Sequence, residues 1–188
     1  MYRMIFLGAP GAGKGTQAQL FAEFAKIAHI STGAMLREAV EKGTALGQQV
    51  KPIIEFGALV PDSMMVDLIA ERITQGDCSN GYILDGFPRT VAQAEALATM
   101  LGKRQESITH AVMFDVTEDD VLQRLAGRRG HESRADDSAE VQKERLRIYQ
   151  EKTAPLIDYY KNKGQLTCVK GDAGVEIVQG RLREAVSK

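Results

Sequence analysis

The chain has 188 residues, 44% of them hydrophobic, with 24 lysines and arginines against 25 aspartates and glutamates for a net charge of −1. At this length one domain is expected, and size scaling has it burying about 70% of the surface an open chain exposes, enough for a core without staples. Near-zero charge argues against a nucleic-acid groove or a basic membrane face as the main partner, and no apolar run approaches the ~18 residues of a membrane span.

In chain order, the first apolar run, MIFL at residues 4–7, is read as a strand and is too short for a secretion signal. Further short apolar runs at residues 29–30, 82–84, 111–114 and 166–169 are read as strands covered on both faces. Between them, helical patterns are expected at residues 14–26, 34–42, 45–56, 63–75, 91–102, 118–126, 138–163 and 175–187. Such alternation predicts an α/β fold, a doubly wound sheet of about five parallel strands. Two places break the rhythm: residues 32–62 carry two helices with no strand between them, and residues 127–137 form a polar loop before the longest helix. In a sheet of this kind ligands sit at the carboxyl ends of the strands, so both excursions are candidate covers for a site. Cys78 and Cys168 stand 90 residues apart with no CxxC pair. Neither a disulfide framework nor a zinc site is expected, and the composition is that of a cytoplasmic protein.

The sharpest motif is GAPGAGKGT at residues 8–16, directly after the first strand and before a helix. Its glycines let the backbone curl so that N–H groups point into a concavity. The helix adds its positive N-terminus and Lys14 a mobile charge, so the loop is read as a polyphosphate cradle. A bare GxxxxGK arises in roughly one such chain in ten, whereas the fuller pattern falls to about one in a million. Gly15 stands where this loop type usually carries a metal-binding Ser or Thr, with Thr16 next, so Mg²⁺ is expected to be held through waters.

Six further motifs follow in order: STGAMLR (31–37), GALVPD (57–62), LDGFPRTVAQ (84–93), GRR (127–129), SRADD (133–137) and TAPLIDYY (153–160). With GAPGAGKGTQ (8–17) they give the chain, over nearly its whole length, a resemblance to the nucleoside monophosphate kinases. Within these it is most similar to the short-lid adenylate kinases.

Read physically, Asp85 emerges at the end of a strand, where its carboxylate suits the water shell of Mg²⁺; a turn or cap role is the alternative. The Gln93 amide donates and accepts at once, which suits a purine edge, against a plain helix glutamine. Ser31 or Thr32 is expected to cap the next helix. Six of the 13 arginines lie between Arg124 and Arg147, and planar guanidinium forks suit a phosphoryl group in transfer. A solvated, salt-bridged face is the alternative, accepted for Arg147, which has Glu144 and Glu151 at helical spacing. His29, His110 and His131 lie far apart with no ligand or triad spacing and are read as structural or exposed.

The resemblance implies reversible phosphoryl transfer from Mg·ATP to AMP, giving two ADP. It implies that Gly11, Ala12, Gly13, Lys14, Gly15, Thr16, Arg128 and Ala173 hold the donor. Thr32, Arg37, Ala58, Leu59, Val60, Gly86, Phe87, Pro88, Arg89, Gln93, Arg134 and Arg145 would bind the substrate on the acceptor side. Lys14, Asp85, Arg89, Arg124, Arg134 and Arg145 would surround the transfer point. One kinase domain is implied, with residues 31–60 as an acceptor-binding insertion and 127–137 as a short lid; Mg²⁺ accompanies ATP, without structural zinc, in a monomer. The chain departs from the family at Ala34, where an Asp is usual, which leaves Asp85 with less help around the metal. A UMP/CMP kinase and a non-catalytic nucleotide sensor remain as alternatives. Against the first, such enzymes usually have Ala at the Thr32 position and Asn at the Thr90 position; against the second, there is no NKxD motif.

Overall fold

The computed structural model describes residues 1–128 and 138–187, and for Glu118 and residues 126–128 it describes the backbone alone. The elements run β1 (Tyr2–Leu7), α1 (Lys14–Ala25), β2 (Ala28–Ser31), α2 (Thr32–Glu41), α3 (Ala45–Glu55), α4 (Asp62–Arg72) and β3 (Gly81–Asp85). Then come α5 (Val91–Lys103), β4 (His110–Asp115), α6 (Glu118–Arg128), α7 (Ala139–Ile148), α8 (Pro155–Asn162), β5 (Leu166–Lys170) and α9 (Val175–Val186). The strands form one parallel five-stranded sheet in the order β2-β3-β1-β4-β5. The expected fold class is the observed one.

Why the strands read as unbroken apolar runs is visible in the packing. Side chains alternate across a strand, so a sheet covered on both faces needs apolar residues at every position. Ile5, Leu7, Ile30, Tyr82, Leu84 and Ala111 pack on one face against α2–α5 and α8, through Leu36, Val50, Ile69, Leu97 and Leu156. Met4, Phe6, Ile83, Val112, Phe114 and Val169 pack on the other against α1 and α9, through Ala18, Phe21, Val178 and Leu182. The chain leaves β1 for β2 over the α1 face and leaves β3 for β4 over the α5 face. Neighbouring strands whose connections depart to opposite sides open a crevice between their carboxyl ends. Here those strands are β1 and β3.

Two expectations need correction. The long helix at 138–163 is two helices, α7 and α8, joined by a π-helical turn at Tyr149–Thr153. Pro155 at the start of α8 has no N–H for the regular ladder, and the chain accommodates it by widening: the Ala154 N–H reaches back to the Tyr149 carbonyl at 2.8 Å. The helix at 63–75 begins at Asp62 and ends at Arg72, with a short 3₁₀ turn at Gly76–Cys78 before β3. Among the described residues no helix is long and apolar enough to cross a membrane.

Candidate active site

At the carboxyl end of β1 the chain curls through residues 8–13 and enters α1 at Lys14. The residue before the helix, Gly13, sits at φ +89°, a left-handed conformation that a side chain resists. The Lys14 ammonium turns back across the loop and donates to the carbonyls of Gly8 (2.8 Å) and Ala9 (2.9 Å), so the curl is held from inside. The loop, from Gly11 to Thr16, lines a cavity of about 1190 Å³.

Asp85 ends the neighbouring β3, in register with Phe6 and with Ser31. Burial pushes its carboxyl up, but the His29 imidazole, Lys14 and Arg89 outweigh this and hold it below the ordinary carboxylate range. It is therefore ionised at neutral pH and has no proton to donate there. Its place is electrostatic. His29 Nε2 lies 3.5 Å from Asp85 Oδ2, beyond a regular hydrogen bond. The fold puts His29, one of the three histidines without ligand spacing in the sequence, on the cavity wall beside Asp85.

On the β2 side, the capping role falls to Ser31, whose hydroxyl accepts from the Ala34 N–H at 3.4 Å. Thr32, 1% exposed, instead donates across to the Asp85 carbonyl at 3.2 Å. Gly86 is required between them, because a Cβ there would stand 2.6 Å from the Thr32 hydroxyl at a backbone φ of +86°. Thr32, Gly86, Ala58, Leu59, Val60 and Gln93 line a second cavity of about 60 Å³. Gln93 is not the exposed helix glutamine of the bland alternative: it is buried, and its amide is engaged at both ends. Its Oε1 accepts from the Arg89 N–H and its Nε2 donates to Asp62 Oδ1, each at 2.7 Å.

Three guanidinium groups, Arg37, Arg89 and Arg145, line both cavities. Burial pushes Arg89 down from its ordinary value while Asp85 supports its charge. Its Nε donates to the Gly86 carbonyl at 2.9 Å, and Thr153, on the π turn, donates to its carbonyl at 2.8 Å. Arg124, on α6, donates to the carbonyls of Ala12 (3.3 Å) and Gly171 (2.5 Å), tying the loop after β5 to the phosphate loop. Gln17 makes a parallel tie, its Nε2 donating to the Val175 carbonyl at 3.0 Å. Ala173 lies on the cavity wall between those ties.

Pro88 also lines the larger cavity, whereas Phe87 is 1% exposed and packs in the core behind it. Arg147 forks between Glu144 and Glu151 at 2.6–2.9 Å on the outer face of α7, as the helical spacing indicated. The side chain of Arg128, and all of Arg134, His131 and the rest of 129–137, lie outside the described residues. Sequence reasoning missed Asp62 and Thr153 as supports of Gln93 and Arg89. Each makes its contact only once α4 and the π turn are packed against the 85–93 turn.

Lys14, Arg37, Arg89, Arg124 and Arg145 thus face a cavity to which the described acids Asp85 and Glu38 also contribute. Glu38 is occupied with Lys42 on the surface. A large cleft with excess positive charge, a backbone cradle at one end and an apolar pocket at the other suits two phosphorylated ligands meeting head to head.

Comparison with known proteins bears on the same residues. The family model described as "Adenylate kinase" matches residues 6–165. The chain is 44% identical over 186 residues to "Adenylate kinase" of Leptospira biflexa serovar Patoc, covering 99% of this chain and 100% of that protein. It is 46% identical over 183 residues to "Adenylate kinase 1" of Nostoc sp. strain PCC 7120, covering 97% of each. To "Adenylate kinase" of Stenotrophomonas maltophilia strain K279a it is 41% identical over 184 residues, 98% of each.

Proposed function

The chain belongs to the adenylate kinase family, and from that premise we propose how its cleft performs the reaction. The protein is an ATP:AMP phosphotransferase, reversibly moving the terminal phosphoryl of ATP to AMP to give two ADP. The pyrimidine-kinase and sensor readings are not favoured. The observation that carries the site reading is the continuity of the cavity from the phosphate loop to the Arg37, Arg89 and Arg145 guanidinium groups.

An oxygen of the AMP phosphate attacks the γ-phosphorus of ATP, and the bond from that phosphorus to the β,γ-bridging oxygen breaks, with the electron pair leaving on ADP. A phosphomonoester has its second pKa near about 6, so the nucleophile is already a dianion at neutral pH and needs no general base. The cleft suits a dianionic nucleophile, since Lys14, Arg37, Arg89, Arg124 and Arg145 line it around the ionised Asp85. Catalysis then rests on positioning and electrostatics. In this reading the backbone of residues 11–16 and Lys14 hold the donor phosphates, with Arg124 and Ala173 on the donor side. Arg37 and Arg89 hold the acceptor phosphate, Arg145 faces the transferring group, and Thr32, Ala58, Leu59, Val60 and Gln93 enclose the acceptor base. Arg128 and Arg134, with residues 127–137 as lid and 31–60 as acceptor insertion, are assigned on the resemblance.

Adenylate kinases use Mg²⁺ with ATP. The donor set fits a metal held mainly by phosphates and water: one ionised carboxylate on Asp85, with the α1 backbone close enough that a Cβ at Gly15 would stand 3.4 Å from its Oδ2. Asp85 and Thr16 would hold it through its waters. When bound it supplies charge neutralisation on the donor oxygens. We further propose a cytoplasmic monomer without nucleic-acid or membrane partners; the net charge of −1 and a cleft built within one chain support this.

Labelled ATP tests the reaction. With the label on the γ-phosphoryl, it should appear in the β-position of the ADP made from AMP. Release chiefly as inorganic phosphate would overturn the transfer.

A further inference from the structure

His29 stands on the cavity wall beside Asp85, and the reaction scheme gives it no task. It sits on β2 opposite Ile83, and Ser31, two residues on, sits opposite Asp85. Strand alternation therefore puts His29 and Asp85 on the same face as diagonal neighbours, within reach of a long ring. The outcome is a 3.5 Å separation between His29 Nε2 and Asp85 Oδ2, with the side chains 23% and 15% exposed. Nε2 itself has no solvent-accessible surface and no hydrogen-bond partner. A buried polar nitrogen without a partner costs free energy, and a small ring rotation that brings it to hydrogen-bond distance removes the cost. The α1 backbone at Gly15 faces the same Oδ2, where a Cβ would lie 3.4 Å away.

A carboxylate at the end of a strand has a broad terminal torsion, so nothing in its own geometry fixes which way its oxygens face. We propose that His29 is a positioning residue for Asp85, its Nε2–H engaging Oδ2 and setting the plane of the carboxylate toward the donor phosphates. The same contact helps to keep Asp85 ionised, in company with Lys14 and Arg89. This deepens the transfer mechanism above and rests on it. His29 touches no substrate in this account; it acts through Asp85.

Two measurements on the full chain test the proposal. In the nucleotide-free protein, long-range ¹H–¹⁵N spectra of the imidazoles should show His29 carrying its proton on Nε2. Those signals should move on Asp85→Asn while the His110 signals stay. In steady state with Mg·ATP and AMP, His29→Phe fills the space without a donor and should lower kcat by about tenfold, with KM for AMP within about twofold. His29→Gln restores an N–H donor and should recover kcat to within about threefold of the parent. A space-filling role predicts the reverse: His29→Phe turning over normally, or Gln failing as badly as Phe. Either result, or His29 signals indifferent to Asp85→Asn, overturns the proposal. Should His29→Phe not fold, the spectra and the Gln variant decide alone. A wild-type protein that makes no ADP from ATP and AMP would instead refute the transfer reading and leave the spectra standing.

Discussion

Gln93 and Asp62, 31 residues apart, are joined at the acceptor pocket by a 2.7 Å hydrogen bond from the glutamine Nε2 to the aspartate Oδ1. The other end of the same amide accepts the Arg89 N–H. One buried side chain therefore fixes both the floor of the base pocket and the turn that aims the acceptor-phosphate arginine.

Gln93→Ala should accordingly do two things. Removing the amide leaves the Arg89 N–H without its acceptor, a loss of about 1–3 kcal/mol in a denaturant titration. It should also raise KM for AMP by about tenfold, equivalent to ~1.4 kcal/mol of binding, while KM for ATP stays within about twofold. Equal effects on both nucleotides would detach Gln93 from the acceptor side.

Lys14→Ala separates ligand binding from folding. The ammonium bonds two partly buried loop carbonyls in the free protein, so the variant should lose about 1 kcal/mol, or roughly 2–4 °C in Tm. Phosphoryl transfer should be abolished. A large drop in Tm with activity preserved per folded molecule would contradict the role assigned to Lys14.

Arg145 and Arg147 are a natural control pair. Two residues along a helix is a turn of roughly 200°, so one guanidinium faces the cleft and the other its exposed glutamates. Arg145→Ala should lower kcat by about 10²–10⁴, with ATP affinity changed much less. Arg147→Ala should leave kcat near normal, since exposed ion pairs contribute little. Similar kcat values for the two variants would return Arg145 to the solvated face.

Much of this arrangement is legible in the sequence, and the exceptions share a cause. β1 and the phosphate loop announce themselves because glycine spacing, a lysine and a following helix are local features. The parallel sheet follows from short apolar runs, since both faces are covered. His29 does not announce itself: a lone histidine on a short strand carries no ligand spacing, and its nearness to Asp85 exists only through the β2–β3 register. Gln93 reads as a helix residue, while its partners Asp62 and Arg89 come from another helix and a turn. The π turn at Tyr149–Thr153 is likewise masked by good helix formers on either side of Pro155.

The pH behaviour follows from Asp85. Burial acts to raise its carboxyl, yet His29, Lys14 and Arg89 hold it below the ordinary value of about 3.9. A depressed folded pKa contributes stability that is complete above about pH 4 and is lost as the pH falls through the lower folded value. The stability difference between the wild type and Asp85→Asn should therefore shrink on acidification. In kcat/KM for AMP, an acid limb near about pH 6 should come from the acceptor phosphate, and Asp85 should add none between about pH 5 and 9. An acid limb in that range that Asp85→Asn abolishes would contradict its assignment as a fixed charge.

The central claim is that this cleft brings adenine nucleotides together, and a panel of acceptors tests it most directly. ADP formation from Mg·ATP would be followed with AMP, GMP, CMP and UMP in turn. Thr32, Gln93 and the apolar wall of residues 58–60 should make AMP the preferred acceptor by at least about tenfold in kcat/KM, because the pocket they line meets a base of another shape and polar edge less well. Equal or faster turnover of CMP or UMP would contradict the account.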